Sequence, residues 1–322
     1  MDGDWIVSEE PPVGLREFTT QSHELFSSAK WSPLLRALGA TPCFAWSASR
    51  RIGMQLAIFH RMGLRVGYLG FPVAGVTFDR MDDETAARVV SQVQKITRLP
   101  ILRVVRSGRD AIQPGETAAF PEVRIEELHD WEPSSKRLRK DLAFARRSSE
   151  DLEIHSGCAD PRACHFLYGQ TVRSHGGNVR YTLEYFRRLA ALADSDEQVR
   201  FYTAVDADGQ IRGFAVVIRN QRTGYYLHGA VDADCRNTGI GDRLVHRMIC
   251  GATDMGCSRL SMMASPWEQP GLHAYKMKWG AIQDLVTTAD HAHSFTGRVI
   301  RAVTRFKARK ARERAQSWNT DG

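Results

Sequence analysis

The chain has 322 residues, with 44 lysines and arginines, 37 aspartates and glutamates and a net charge of +7. At this length two domains are the usual arrangement, and the ordinary apolar and charged fractions exclude a mainly disordered chain. The acidic N-terminus does not resemble a signal peptide, and no apolar run approaches the roughly 20 residues that span a bilayer. The six cysteines form no C-x-x-C pair. We therefore expect reduced thiols, no bound metal and a cytoplasmic location.

The first half of the chain predicts a short unit of strands and one helix after a loosely structured N-terminus. The helix, over 82–97, has apolar residues at helical spacing (Ala86, Val89, Val90, Val93, Ile96). Residues 108–121 are rich in turn-forming types and predict a loop. The predicted strands cover 43–46, 54–59, 65–69, 101–105 and 123–128.

The second half begins near residue 131 with a strongly basic helix over 136–147. Three consecutive strand patterns then precede a glycine-containing turn and another amphipathic helix, which ends near residue 255. The predicted strands are 152–155, 199–205, 211–219, 224–231, 259–263 and 282–287, and the other predicted helices are 161–172, 183–193 and 269–279. The first half repeats part of this order, so we infer an internal duplication.

The turn between the third consecutive strand and its helix has the sequence Arg236-Asn237-Thr238-Gly239-Ile240-Gly241. The first N–H groups of a helix have no intrahelical partner, and the helix dipole favours negative charge there. Glycine lets a phosphate approach the backbone closely, and the arginine adds positive charge. The turn is therefore either a pyrophosphate site or a glycine-rich helix start without a ligand.

The order of elements and the R-x-x-G-x-G turn resemble GNAT acyltransferases. The resemblance implies an α/β fold with a mixed (α+β) sheet, in two tandem GNAT-like domains of which the first is shortened, plus a basic C-terminal helix. The corresponding boundaries are 1–130 for a degenerate first domain, 131–290 for the acyltransferase domain and 291–322 for the basic tail.

Two further segments resemble Fem-like peptidyltransferases, which are tandem-GNAT proteins. The first is the basic segment 134–140, and the second is 271–281, which ends in Lys276-Met277-Lys278-Trp279-Gly280-Ala281 and is similar to the K-x-x-F/W-G-A signature. Characterised members transfer an aminoacyl group from tRNA to a cell-wall precursor, and their phosphate turn is often degenerate. This chain keeps the turn whole, which favours acyl-coenzyme A, in the first place acetyl-coenzyme A, as the donor.

The GNAT resemblance implies that the turn binds the pyrophosphate of the donor. We expect bulky replacements of Gly239 and Gly241 to abolish coenzyme A binding while the fold stays intact. The expected donor-binding residues are Val231, Arg236, Asn237, Thr238, Gly239, Ile240 and Gly241.

Two histidines are candidates for acid–base chemistry. His228 lies on the strand that enters the turn, and a neutral imidazole there could accept a proton from an amine. His175 lies in the loop after the helix over 161–172, where GNAT proteins commonly shape the acceptor pocket. The alternatives are a hydrogen-bonded packing role for His228 and a solvated loop position for His175.

Tyr275 and Lys276 acquire roles only through the resemblance. GNAT enzymes often place a tyrosine on this helix to protonate the leaving thiolate, although here the spacing to Gly280 is one residue longer. The lysine of the Fem-like signature is thought to neutralise developing negative charge, which we assign to Lys276; the alternative is a surface lysine. Trp279 is predicted to be core.

Basic residues concentrate in two segments. Residues 298–314 contain eight lysines and arginines and one glutamate, beside apolar residues at helical spacing. Such a tail can contact an anionic membrane or RNA, or be a disordered end. The helix over 136–147 either lines a site for an anionic acceptor or tRNA or has a solvated face.

Three functions remain open from the sequence. The first is N-acyl transfer from acyl-coenzyme A to a primary amine of a small molecule or cell-envelope precursor. The second is aminoacyl-tRNA-dependent peptidyl transfer, and the third is a GNAT-fold binding module without catalysis.

Overall fold

The computed structural model describes residues 5–61, 63–73, 83–109, 116–280 and 282–320. The chain forms two compact units. The first unit contains Met1–Val123, Ala264–Ala274 and Gln283–Gly322, and the second contains Arg124–Met263 and Tyr275–Ile282.

The sheet of the first unit has the strand order β1-β2-β3-β4-β5-β12-β6. Neighbours from β1 to β4 are antiparallel, whereas β4 and β5 are parallel. The elements are β1 (Trp5–Ser8), α1 (Val13–Ser22), α2 (Ser32–Ala37), β2 (Ala40–Ser47), β3 (Ile52–Arg61), β4 (Leu64–Leu69), α3 (Asp83–Thr97), β5 (Ile101–Arg109) and β6 (Ala118–Ile125), with the late elements β12 (Ile282–Ala292) and α9 (Phe295–Thr320).

The sheet of the second unit has the strand order β11-β10-β9-β8-β7. The pairs β7–β8, β8–β9 and β9–β10 are antiparallel, and β10–β11 is parallel. The elements are α4 (Lys136–Ser148), β7 (Glu153–Ser156), α5 (Pro161–Ser174), α6 (Leu183–Ser195), β8 (Val199–Val205), β9 (Ile211–Asn220), β10 (Thr223–Val231), α7 (Ile240–Asp254), β11 (Arg259–Ala264) and α8 (Pro270–Met277), within which the chain passes from the first unit to the second.

The two units repeat one order of elements, which is a strand, two helices, three antiparallel strands, a helix and a strand parallel to the third. The second repeat continues with α8 after its parallel strand β11. In the first repeat, the described residues between the parallel strand β5 and the next strand β6 contain no helix. The predicted mixed α/β fold with a shortened first repeat and a basic C-terminal helix is confirmed. The predicted loose N-terminus is wrong in part, because β1, α1 and α2 occupy it.

Helix α3 covers the first sheet with the apolar face that its spacing predicts. Ala86, Val89, Val90 and Val93 are buried against strand residues such as Leu56 and Leu102. Ile96, predicted on the same face, is instead 47% exposed, because it lies at the edge of that stripe. Residue 82, where the helix was predicted to begin, lies outside the described residues.

The first part of strand β6 falls within residues 108–121, which were predicted to be a loop because they are rich in turn-forming types. Pro121 lies inside β6 and uses its carbonyl oxygen to accept the N–H of Ser265 at 2.8 Å. The neighbouring Glu122 is fully buried and accepts hydrogen bonds from Ser107 Oγ and the Gly108 N–H, both at 2.6 Å. The strand is therefore held by partners that lie elsewhere in the chain, which the sequence pattern of 108–121 does not show.

The two compact units differ from the contiguous division predicted at residues 131 and 291. Strand β12 follows the second repeat in the chain but pairs antiparallel with β5, from Leu285 opposite Arg109 to Ala292 opposite Ile101. Arg103 on β5 and Asp290 on β12 form a bidentate ion pair at 2.6 and 2.8 Å. The first unit is therefore completed by chain from beyond the second repeat.

Among the helices of the described residues, none combines the length and the apolar composition needed to cross a membrane.

Candidate active site

The turn between β10 and α7 is built around a left-handed glycine. Val231 ends β10, and Ala233–Thr238 then forms a single 3-10 helix. Gly239 has a φ of 76°, a conformation that glycine adopts without steric cost. Its carbonyl oxygen accepts the N–H groups of Asp242 at 2.9 Å and Arg243 at 3.3 Å, and Ile240 is the first residue of α7.

The two glycines of the turn have different surroundings. A Cβ on Gly239 would lie 2.7 Å from Ala145 Cβ and 2.8 Å from Ala145 Cα, in the last turn of α4. A Cβ on Gly241 would lie 3.4 Å from Val231 Cγ2 and 3.8 Å from Tyr275 Oη, which are ordinary contacts. Gly239 is therefore required by the fold itself. The expectation that both glycines can be replaced with the fold intact stays a prediction, and the close approach to Ala145 argues against it at Gly239.

The cationic side of the turn is open to solvent. Arg236 and Asn237 are exposed, and the Arg236 Nη2 donates a long, 3.4 Å hydrogen bond to Ser174 Oγ at the end of α5. Thr238 faces inward, where its Oγ1 donates to the Cys235 carbonyl at 2.8 Å. Arg236 can therefore turn toward an anion at the helix start at little cost.

The strands β10 and β11 pair along only part of their length. The parallel register runs from Thr223 opposite Arg259 to Tyr225 opposite Ser261 and then stops. On its other edge β10 has a bulge between Tyr226 and His228 in its pairing with β9. The bulge redirects the end of β10, so its backbone groups beyond Tyr225 have no ladder partner on β11. An extended ligand that carries amides could pair with this free edge.

Asp242, in the first turn of α7, joins Tyr275 and Lys278 in one cluster. The Tyr275 hydroxyl donates to Asp242 Oδ1 at 3.0 Å, and Lys278 Nζ donates to both carboxylate oxygens at 2.7 Å. Lys278 Nζ also lies 4.7 Å from the centroid of the Tyr275 ring. Burial raises the pKa of Tyr275 well above its usual value, and the Asp242 charge raises it further. Tyr275 therefore keeps its proton at neutral pH.

Lys276 is buried, with 5% exposure, and its Nζ donates to the Met263 carbonyl at 3.0 Å. Met263 lies on β11 beyond the end of its pairing with β10 and has a φ of 58°. The surface-lysine alternative for Lys276 is therefore wrong. Its role in charge neutralisation stays a prediction. Trp279 is fully buried, as expected for a core residue, and Ala281, the last residue of the signature, lies outside the described residues.

His228 lies at the bulge of β10 in a cluster of aromatic rings. Its ring is 8% exposed, and its Nε2 is 3.0 Å from the Tyr185 hydroxyl. Burial lowers the pKa of His228 from 6.5 to about 3, so the imidazole is neutral at pH 7. The four surrounding rings, with centroids 4.4 to 5.9 Å away, are those of Tyr168, Tyr181, Tyr185 and Phe186. The geometry suits a hydrogen-bonded packing residue, and the role of His228 as a base stays a prediction.

His175 follows α5 as its C-cap and is exposed. Its backbone N–H donates to the Val172 carbonyl at 3.3 Å, which ends the helix. The structure does not bring the His175 side chain into the Tyr275 cluster, and its role in the acceptor pocket stays a prediction.

Sequence reasoning missed Asp242 and Lys278. Asp242 directly follows the glycine motif, and Lys278 lies two residues after the signature lysine, so each lies within or next to a motif that the sequence shows. The sequence does not show that these two side chains are in contact, because α7 and the segment after α8 are far apart in the chain. No group of three or more histidine, cysteine, aspartate or glutamate side chains within the described ranges could hold a metal ion.

Comparisons with known proteins find a family match in the second half of the chain and similar folds over most of it. Residues 135–277 match the model of the acetyltransferase (GNAT) domain family. The crystal structure of FemX shares the fold with a TM-score of 0.60 and 11% identity, over 85% of this chain and 94% of FemX. L-PGS from Bacillus licheniformis matches with a TM-score of 0.53 and 13% identity, over 96% of this chain and 99% of that one. A search of curated protein sequences finds no match.

Proposed function

We propose that the chain transfers an acyl group from acyl-coenzyme A to a primary amine, because residues 135–277 match the acetyltransferase (GNAT) domain family and the chain is similar in fold to FemX. The observation that carries this proposal is the intact turn from Arg236 to Gly241. It combines a helix start, a glycine without a clash at Gly241 and an exposed arginine, which together suit a pyrophosphate. Acetyl is the proposed acyl group, and a small molecule or a cell-envelope precursor is the proposed acceptor.

The donor fits the site in two parts. Its pyrophosphate would lie against the first turn of α7, near Arg236. Its pantetheine arm contains two amides, which suit the unpaired edge of β10 beyond Tyr225. This direction would carry the thioester from the turn toward the divergence of β10 and β11.

The transfer step forms one bond and breaks another. The amine nitrogen attacks the thioester carbon, the C–N bond forms, and the C–S bond breaks to release a thiolate. In our proposal Tyr275, which is protonated at neutral pH, gives its proton to this sulfur and is reprotonated from water, which takes up the proton that the amine nitrogen loses. The Lys276 ammonium, buried near the end of β11, would stabilise the negative charge that develops on the carbonyl oxygen.

His228 enters the proposal with a limited role. A group with a pKa of about 3 is a poor acceptor for the proton of an alkylammonium ion. In our proposal the histidine holds the Tyr185 hydroxyl and the bulge of β10, and the amine loses its proton to water.

The test is calorimetric titration of the full chain with acetyl-coenzyme A. Arg236→Gln removes one charged contact to the pyrophosphate, and we expect about 10- to 100-fold weaker binding. Arg222→Gln is the matched control, because Arg222 is also exposed but precedes β10 at the end remote from the turn. Equal binding by both variants would contradict the donor assignment.

An aminoacyl-tRNA donor is the second candidate, and the surface of α4 favours it. Its exposed residues Lys136, Lys140 and Arg147 recur along one face, beside Phe144, which is 48% exposed. Cations and an exposed aromatic ring suit RNA, through phosphate contacts and base stacking. If the protein binds aminoacyl-tRNA with a strong salt dependence and does not bind acetyl-coenzyme A, this second function replaces the first.

A further inference from the structure

The outward face of α9 carries an apolar stripe that no described residue covers. Phe295, Val299, Val303 and Phe306 follow one another at intervals of four, four and three residues, which places them on one side of a helix. Their exposures are 74%, 47%, 48% and 54%. Four large apolar side chains in one exposed row are unusual on a protein surface in water and mark a contact site.

The opposite face of α9 is held by the first unit. Ser294 Oγ caps the helix by accepting the Gly297 N–H at 3.0 Å. Gly297 is buried, and a Cβ there would collide with the carbonyl oxygen of Pro100. Along the same face Ile300 and Thr304 are half-buried. The helix is thus fixed on one side, and its apolar stripe points away from the unit.

Cations border the stripe on both sides. At 100° per residue, the arginines on one border of the stripe are Arg298, Arg305 and Arg309. On the other border lies Lys307, and Lys310 lies on the same side, closer to the stripe. All five are exposed, and Lys310 Nζ lies 5.3 Å from the ring centroid of Phe306. Within the described residues of this surface, Glu313 pairs with Arg309, with its Oε1 3.2 Å from Arg309 Nε.

We propose that this outward face of α9 docks on an anionic lipid bilayer, with the stripe among the acyl chains and the cations at the headgroups. An apolar face bordered by lysine and arginine is the arrangement of helices that lie in a membrane interface. Long cationic side chains next to buried apolar ones extend their charges back to the headgroups. An RNA partner would leave the two valines without a contact, so the lipid surface is favoured over RNA.

The test uses the full chain and sedimentation with vesicles. One set is phosphatidylcholine alone, and the other contains one part phosphatidylglycerol in four. We expect binding to the anionic vesicles and at least tenfold weaker binding to the neutral ones. The variant Arg298→Gln, Lys307→Gln and Lys310→Gln should weaken binding to anionic vesicles by about fivefold per cation removed.

A second variant removes the stripe and keeps every charge. Val299→Ser, Val303→Ser and Phe306→Ser should weaken binding to anionic vesicles at least tenfold. The matched control is Phe144→Ser, which removes an exposed aromatic ring from the other basic helix and should bind like the wild type. Alanine at the same three stripe positions repeats the test if the serine variant loses helical circular dichroism.

Three outcomes would overturn the proposal. They are no binding of the wild type to anionic vesicles, full binding by the stripe variants, and loss of binding in the Phe144→Ser control equal to that in the stripe variants. If bulk tRNA binds instead and the stripe variants retain that binding, the basic face of α9 is an RNA site.

Discussion

The turn from Arg236 to Gly241 follows β10, whereas the His228 cluster lies at the bulge within β10, and the two regions are built differently. The turn has exposed Arg236 and Asn237 and one weak side-chain contact at 3.4 Å. The cluster encloses His228 among four rings and fixes it to the Tyr185 hydroxyl at 3.0 Å. One region leaves polar groups exposed to a ligand, whereas the other buries its histidine among aromatic rings.

This difference separates residues that can bind from residues that shape the site. A binding group needs access to the ligand and a hydrogen-bond donor that can reach it, and the exposed Arg236 guanidinium has both. A buried group such as His228, whose Nε2 is paired with the Tyr185 hydroxyl, acts through the position of its neighbours. The Tyr275 cluster lies between these cases, since its hydroxyl is engaged by Asp242 but stands 3.8 Å from the Cβ position of Gly241 in the turn.

The largest effect is expected at the one turn residue that the fold requires. Gly239→Ala places a Cβ against the Ala145 backbone and forces a side chain into a φ of 76°. We expect a loss of about 3 kcal/mol in the free energy of unfolding. Gly241→Ala, with room for a Cβ, is the matched control and should change the stability by less than about 0.5 kcal/mol. Urea unfolding measures both, and equal losses would contradict the distinction.

The next effect concerns the Asp242 cluster. In Asp242→Asn the one carboxylate that remains near the Lys278 ammonium is that of Asp141, 3.7 Å away. The ammonium also lies beside the rings of Tyr275 and Trp279. Both side chains are partly exposed, so we expect a loss of about 2 kcal/mol rather than that of a fully buried pair. Affinity for acetyl-coenzyme A should not fall, since a negative charge near the pyrophosphate is removed.

Unfolding in urea and calorimetry separate these two readouts. Asp141→Asn is the control, because its longer contact to Lys278 predicts a smaller loss of stability. A large loss of coenzyme A affinity with unchanged stability would show that Asp242 binds the donor and would remove it from the structural cluster.

The sequence was sufficient for the elements with a clear period. Leu244, Val245, Met248 and Ile249 are buried on α7 as their spacing predicts. Local signals failed where distant chain supplies the partner. Turn-forming residues suggested a loop over part of β6, because the hydrogen bond between Ser265 and Pro121 joins residues distant in the chain. The pairing of β12 with β5 likewise joins residues that are between 176 (Leu285 and Arg109) and 191 (Ala292 and Ile101) positions apart.

The same limit applies to the candidate site. The motif located the turn, but only the fold distinguishes Gly239, which touches Ala145, from Gly241, which does not. Likewise, nothing local to Lys278 indicates that Asp242 accepts its hydrogen bonds at 2.7 Å. Burial of His228 depends on rings from α5 and α6, whose packing on β10 is non-local.

The last prediction tests the enclosed region through pH. The folded pKa of His228 is lowered from 6.5 to about 3, so between these values the unfolded chain binds more protons than the folded one. The stability that the neutral ring contributes is complete above about pH 6.5 and is lost as the pH falls toward 3. Between pH 7 and pH 5 this histidine should account for a loss of about 2 kcal/mol.

His228→Phe keeps an aromatic ring that does not titrate. Between pH 7 and pH 5 the free energy of unfolding of this variant should therefore fall by about 2 kcal/mol less than that of the wild type. The phenylalanine also leaves the buried Tyr185 hydroxyl without its partner, which lowers stability equally at both values of pH and does not affect the comparison. Urea unfolding of the wild type and the variant at pH 7 and pH 5 gives the difference. Equal losses of unfolding free energy between pH 7 and pH 5 would mean that His228 is protonated readily in the folded protein. It would then be accessible enough to serve as the base for the acceptor amine, and the contrast between the open turn and the closed cluster would fail.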